Sequence, residues 1–159
     1  IISNKLRYKA LLDCRGDKAQ HLLDLLKAVR LPRSMESSIL TAMLRLSTKS
    51  SRYPKCLSLN RVERESVPMA AGQFGEIWKG NLNGKVVCLK VVKLYQQSEI
   101  QKLLNAFSRE AIIWSHLFHP NVLPFYGIYR LEDMYGRLCL VSPWMENGNV
   151  IEYVSKRPQ

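Results

Sequence analysis

The sequence has 159 residues, of which 47% are hydrophobic, and this is enough for one hydrophobic core of ordinary size. No apolar run approaches the roughly 20 residues that a membrane-spanning helix requires, and the first residues mix basic with short apolar groups, unlike a signal peptide. The sequence therefore predicts a globular chain without a membrane span, and we expect an intracellular, cytoplasmic location.

The formal net charge is +11, and the basic excess is concentrated in the first part of the chain. Residues 1–66 contain 14 Lys and Arg against 6 Asp and Glu, but these bases are neither clustered nor interleaved with aromatic residues as on a nucleic-acid surface. A solvated helical face is the favoured interpretation, and no nucleic-acid partner is expected. An acidic protein partner or an anionic membrane surface, attracted at long range, remains the alternative.

The four cysteines lie far apart in the sequence, at Cys14, Cys56, Cys88 and Cys139. They form no C-x-x-C pair, and no histidine stands near them at the spacing of a metal site. The pattern predicts free thiols in a reducing compartment and no metal site.

Residues 1–46 have the hydrophobic period of amphipathic helices. Two apolar stripes carry this pattern: Ala19, Leu22, Leu23, Leu26 and Val29 in the first, and Ile39, Met43, Leu44 and Leu46 in the second. Each stripe requires a partner surface. The following stretch is rich in Ser, Lys and Pro, so we predict a linker over residues 47–66.

From residue 67 onward the pattern changes to short strands. We predict a fold of the α+β class, in which five strands form an antiparallel sheet, and the Asn83-Gly84 pair predicts a type I′ hairpin turn. One helix is expected over 99–117, opened by a capping box of Ser98 and Gln101.

One lysine and one glutamate interrupt apolar patterns in this region. Strand alternation places Lys90 on the same face as Cys88. Glu110 belongs to a helical stripe that is otherwise apolar: Leu103, Phe107, Trp114 and Leu117. Because a carboxylate that faces a core requires a cation, we predict a buried Lys90–Glu110 ion pair.

Two glycines precede the predicted hairpin, at Gly72 and Gly75. Neither a G-x-G-x-x-G nor a Walker string occurs, and a hairpin rather than a helix follows them. The remaining phosphate-binding design is a glycine-rich turn between antiparallel strands, followed on the third strand by a lysine. Since glycine has no Cβ, backbone N–H groups of this turn can approach phosphate oxygens.

Taken together, the strings AGQFGEIWKG, VVCLKVV, REAIIWSHLFHPNVLPFYGI and LCLVSPWMENGN resemble the N-terminal lobe of a eukaryotic protein kinase, of the tyrosine-kinase-like kind found in fungi. The resemblance covers residues 67–159 and includes the hinge. The helical segment and linker more weakly resemble the region that precedes the kinase domain in mushroom-type fungal kinases.

The resemblance implies that the chain binds ATP and that Lys90 and Glu110 form the family's catalytic ion pair. The implied nucleotide-binding residues are Ala70, Gly72, Gln73, Phe74, Gly75, Ile77, Cys88, Lys90, Ser142, Pro143, Met145 and Asn149. Among them, Ile77 would cover the adenine, Ser142 would be the gatekeeper, and Asn149 would lie near the ribose. Trp114 and Phe125 match two members of the hydrophobic regulatory column.

Two motifs that the family's chemistry requires, H-R-D-x-x-x-x-N and D-F-G, do not occur in these 159 residues. We therefore expect this chain alone to be inactive, as the nucleotide-binding lobe of a longer kinase. That parent would use magnesium and transfer the ATP γ-phosphate to Ser, Thr or Tyr hydroxyls of a protein substrate. A non-catalytic nucleotide-binding or protein-interaction module is the alternative, although the presence of both Lys90 and Glu110 favours the kinase.

Overall fold

Three helices precede a sheet in the computed structural model, which describes residues 4–30, 32–72, 75–92, 100–134 and 136–156. The helices are α1 (Lys5–Leu12), α2 (Gly16–Ala28), α3 (Arg33–Ser50), α4 (Ile100–Trp114) and α5 (Val150–Ser155), and a 3-10 turn spans Lys55–Leu57. The predicted cap Ser98 and the loop residues Gln73 and Phe74 lie outside the described residues.

The strands are β1 (Glu63–Arg64), β2 (Ala70–Gly72), β3 (Gly75–Leu82), β4 (Lys85–Val91), β5 (Gly127–Arg130) and β6 (Leu138–Pro143). They form an antiparallel sheet in the order β1-β3-β4-β6-β5, and β2 pairs with β3 on the same edge as β1. Counted as one interrupted strand, β1 and β2 bring the sheet to the five strands expected from the sequence. The predicted fold class is confirmed.

The turn between β3 and β4 has the predicted geometry. The backbone φ angles are 52° at Asn83 and 83° at Gly84, both positive as a type I′ turn requires. The Asn81 side chain accepts a hydrogen bond from the Gly84 N–H at 2.8 Å. This local geometry fixes the register of the longest strand pair.

Two predicted boundaries are wrong. Helix α3 continues past residue 46 to Ser50, because the hydroxyls of Thr48 and Ser50 donate to carbonyls one turn earlier and so remain within the helix. Helix α4 ends at Trp114 rather than at 117, because the last N–H groups bond to carbonyls three residues back and tighten the turn.

The stretch expected to be a linker packs against the sheet. Leu57 and Val62 are buried, and Ser58 forms a β-bridge with Ile128. Gly127 permits this approach, because a Cβ at that position would lie 2.6 Å from the Leu57 carbonyl oxygen. Residues 55–64 thus run from the β5 edge of the sheet, which Ser58 contacts, to the opposite edge, where Glu63–Arg64 pair with β3.

The larger of two hydrophobic clusters joins the first helices to the sheet, and the other packs on the sheet around Trp78 and Leu89. Helix α4 lies within it and buries Phe107, Ala111 and Ile112. Its neighbours come from every surrounding element: Leu11, Ala19, Leu23, Ile39, Met43, Leu46, Leu57, Ile128 and Leu140. The two stripes predicted for the helical segment therefore belong to the same cluster as α4, with Val29 as an exposed exception.

Candidate functional site

The ion pair predicted between the lysine and the glutamate is present. Lys90 Nζ, on β4, lies 2.9 Å from Glu110 Oε1, on α4. The predicted burial of this pair is wrong, since the two side chains are 43% and 45% exposed. Helix α4 buries Phe107 and Ala111 but carries Glu110 at the side of that contact, so water reaches the pair. An ion pair this exposed stabilises a fold by only about 0–1 kcal/mol.

A cysteine and a serine lie next to the ion pair on the same face of the sheet. Cys88 is the direct partner of Ser142 across β4 and β6, and Ile77 is the partner of Lys90 across β3 and β4. Burial raises the pKa of the Cys88 thiol, while a hydrogen bond with Ser142 and the charge of Lys90 oppose this shift. These four predicted residues therefore share one surface.

The glycines of the predicted turn differ in what they require. Gly75 has a φ of 144°, and a Cβ there would overlap the carbonyl of Val91. Gly72 has open space around its missing Cβ and pairs with Gly75 across β2 and β3. Ala70, in place of the family's first glycine, is exposed and pairs with Ile77. Of the two glycines, only Gly75 is thus required by the backbone conformation.

The predicted hinge begins at the last residue of β6 and continues beyond the strand. Pro143 is the last residue of that strand, and Met145 is exposed, with its carbonyl accepting a hydrogen bond from the Gly148 N–H at 3.0 Å. Asn149 caps α5: its Oδ1 accepts from the Glu152 N–H at 3.0 Å and its Nδ2 donates to the Glu152 carboxylate at 2.7 Å. The expected ribose contact of Asn149 competes with this cap and stays a prediction.

A lysine that our reading of the sequence missed connects the sheet to the hinge. Lys79 is the partner of Cys88, and its Nζ lies 5.2 Å from the centre of the Trp144 ring and 3.9 Å from Glu146 Oε1. The signal was available, because the predicted hairpin register already places Lys79 beside Cys88. Its side chain therefore lies at the hinge end of the predicted nucleotide surface.

The two residues assigned to the regulatory column are in contact. The rings of Trp114 and Phe125 stack with centroids 5.2 Å apart and an interplanar angle of 28°. The indole N–H of Trp114 donates to the Leu123 carbonyl at 2.7 Å, which fixes the ring. An open hollow of about 420 Å³ lies beside them and is bordered by Glu110, Ile113, Trp114, Leu117 and Val122.

A second charged cluster, also missed, anchors the start of β3. Arg137 pairs with Glu76 at 3.0 Å and with Asp133 at 2.7 Å, and the indole of Trp78 donates to Glu76 at 3.1 Å. The hydrogen bond that Arg137 donates to Asp133 is the main cause that raises the pKa of Arg137. The side chains of Arg137, Glu76 and Asp133 are only 15–20% exposed, so this cluster holds the strand that follows the glycine turn more firmly than the Lys90–Glu110 pair can.

No three His, Cys, Asp or Glu side chains within the described ranges are grouped so that they could hold a metal ion. Across the same part of the chain, none of the helices combines the length and apolar composition that crossing a bilayer demands. We therefore assign no metal ligand to a described residue.

The sheet, helix α4 packed on it and the Lys90–Glu110 pair together have the architecture of the N-terminal lobe of a protein kinase. A family model described as protein tyrosine and serine/threonine kinase matches residues 65–159. The chain therefore belongs to the protein kinase domain family.

Several curated kinases are similar to this chain over its second half. The dual specificity protein kinase zakA of Dictyostelium discoideum is 34% identical over 85 residues, which are 53% of this chain and 11% of that kinase. The tyrosine-protein kinase FRK of Homo sapiens is 31% identical over 98 residues, or 58% and 18% of the two chains. The serine/threonine/tyrosine-protein kinase HT1 of Arabidopsis thaliana is 28% identical over 90 residues, or 55% and 22%. The matched region thus spans less than a quarter of each relative.

Proposed function

We propose that this chain is the ATP-binding lobe of a protein kinase whose whole form transfers the γ-phosphate of ATP to protein hydroxyls. The observation that carries the proposal is the contact of 2.9 Å between Lys90 and Glu110, on the face of the sheet that also bears Cys88 and Ile77. A lysine fixed by a carboxylate beside a glycine turn is suited to hold phosphate oxygens in place.

The residues present fit the polyphosphate of ATP. A primary ammonium has three N–H donors, so Lys90 can contact Glu110 and phosphate oxygens at the same time. Gly75 lies against the Val91 carbonyl, where a Cβ would not fit, and this holds the start of β3 close to β4, the strand that bears Lys90. Bound ATP would supply the electrophilic γ-phosphoryl group, while this chain's residues bind and orient the nucleotide.

The adenine would lie between Ile77 and Cys88, with Ser142 buried behind it. The N–H and carbonyl of Met145 and the carbonyl of Pro143 are the proposed hinge contacts. The Met145 carbonyl can accept a second hydrogen bond besides that from Gly148, because a carbonyl oxygen has two lone pairs. Magnesium ligands of the family's two motifs do not occur in this sequence, so no metal-dependent step is assigned to it.

We further propose that the parent belongs to the tyrosine-kinase-like kinases, of the fungal, mushroom-type kind. The dual specificity and tyrosine kinases among the relatives support the first part, and the quoted sequence strings support the second. An intracellular location fits four free cysteines. An acidic protein partner for the basic first helices remains part of the proposal, on charge alone.

A non-catalytic interaction module is not favoured. Such a module has no need for a lysine and a glutamate that meet on the nucleotide face, and both are present and paired here.

The proposal is tested by labelling the chain with an acyl-phosphate derivative of ATP, which transfers its acyl group to a lysine amine near the bound phosphates. Mass spectrometry should find Lys90 labelled, and excess ATP should suppress this. Lys85, an exposed lysine of the same strand, is the matched control and should be labelled weakly and independently of ATP. Labelling spread over the basic helices, with no competition by ATP at Lys90, would overturn the proposed function.

A further inference from the structure

The C-terminal end of α4 is held by a side chain from the first helices. Lys27, on α2, donates to the Ser115 carbonyl at 2.9 Å and to the Ser115 hydroxyl oxygen at 3.0 Å, and it is partly buried. The last carbonyls of a helix have no partner within the helix and carry partial negative charge. An ammonium at this position therefore satisfies an otherwise open helix end.

The other end of α4 is also tied to the first helices. The Gln101 amide donates at 2.7 Å to the hydroxyl of Ser51, the C-cap residue that follows α3. Ser51 has a positive φ of 58°, so this acceptor stands at a sharply defined helix end. Helix α4 is thus held at both ends by the unit formed by α2 and α3.

Between these two ends, α4 lies along α3. Its buried residues Phe107, Ala111 and Ile112 belong to the same core cluster as Ile39 and Met43 of α3. The Lys90–Glu110 contact, by comparison, is a half-exposed ion pair, and such pairs are weak. The orientation of Glu110 is therefore set mainly by the contacts of α4 with α2 and α3, and less by the ion pair itself.

We infer that Lys27 is a positioning residue for the nucleotide site: together with α2 and α3 it fixes the rotation and position of α4, and so keeps Glu110 against Lys90. This inference deepens the proposed function and rests on it. It gives the first helices an indirect role in nucleotide binding, because they act on the site through α4 and not through the glycine turn or β4.

The first test measures amide hydrogen exchange of α4 in the 159-residue chain. Lys27→Met should raise exchange near Ser115 by about three- to tenfold, because the helix end loses its donor. Lys18→Met removes a lysine from the same helix that makes no hydrogen bond or ion pair to a described residue, and it should change nothing. Gln101→Ala, at the opposite end, is a second variant in case Lys27→Met does not fold. Unchanged α4 exchange in the variant that folds would overturn the inference.

The second test asks whether Lys27 acts through Glu110. Lys27→Met should weaken ATP binding about three- to tenfold, yet have no further effect in a Glu110→Gln background, because the contact it positions is already lost. Effects that multiply would contradict a positioning role. If Lys90→Met leaves ATP binding intact, the proposed function fails, while the exchange experiment still decides whether Lys27 holds α4.

Discussion

At the residue scale, substitutions of the two glycines on either side of the predicted turn, Gly72 and Gly75, should have different effects on stability. Gly75→Ala should lower the free energy of unfolding by about 1–3 kcal/mol, because the φ of 144° excludes a side chain and the new Cβ would overlap the Val91 carbonyl. Gly72→Ala meets open space and should change it by less than about 0.5 kcal/mol. Urea unfolding of both variants measures this difference, and equal losses would contradict our account of the turn.

The exposed ion pair gives a second prediction at this scale. Glu110→Ala should destabilise the chain by less than about 1 kcal/mol, because water already reaches both side chains. A double-mutant cycle with Lys90→Met should give a coupling energy below the same value. A coupling above about 2 kcal/mol would show that the pair is desolvated in solution, as the sequence pattern had suggested.

At the element scale, the C-terminal end of α4 should respond to pH through His116. Burial lowers the pKa of His116, a hydrogen bond to the Ile112 carbonyl raises it, and the neighbouring charges of Lys27 and Glu36 act in opposite directions. The unfolded chain therefore binds a proton at a higher pH than the folded chain does. Stability is complete above the ordinary pKa of 6.5 and falls as the pH drops through the folded pKa.

A thermal or urea titration between pH 5 and 8 checks this sign. His116→Asn keeps a donor for the Ile112 carbonyl but cannot titrate, so the loss of stability attributable to this site should disappear. An unchanged or steeper fall in the His116→Asn variant would contradict the assignment.

The elements predicted well from the sequence are those whose signals are local. The Asn83-Gly84 turn, the strand alternation around Lys90 and the apolar stripe of α4 each follow from residues a few positions apart. The Arg137 cluster depends instead on a partner 61 residues away, and no local pattern indicates which acid it meets. Gly80 shows the same limit: it reads as a weak strand residue, but a Cβ there would overlap the Glu63 carbonyl of β1.

The candidate site divides in the same way. The strand and helix periodicities were sufficient to predict that Lys90 and Glu110 form a pair. The exposure of the pair depends instead on which side of α4 the first helices cover. Periodicity gives the buried face of a helix only to within about one residue position, so a carboxylate at its margin can be read as buried. The N-cap formed by Asn149 is also a local signal, since Asn is a favoured N-cap residue, but the resemblance to kinases assigned Asn149 to the ribose instead.

At the scale of the whole molecule, we predict that the 159-residue chain does not transfer phosphate by itself. In kinases, the Asp that accepts the substrate proton and the Asp that binds metal belong to two motifs that do not occur in these 159 residues. Purified chain with Mg²⁺, ATP and a general protein substrate should show no turnover above background. Turnover that Lys90→Met abolishes would show that the chain carries a catalytic group we have not identified.

The most direct test of the central claim, that nucleotide binds at the Lys90 face of the sheet, is an ATP titration of this chain followed by ¹H–¹⁵N NMR. We expect shifts at Gly72, Gly75, Lys90 and Met145, with a dissociation constant weaker than about 1 µM because the cleft is open on one side. Lys90→Met should remove these shifts and leave the basic helices unaffected. Shifts confined to those helices, or unchanged binding in the variant, would contradict the claim.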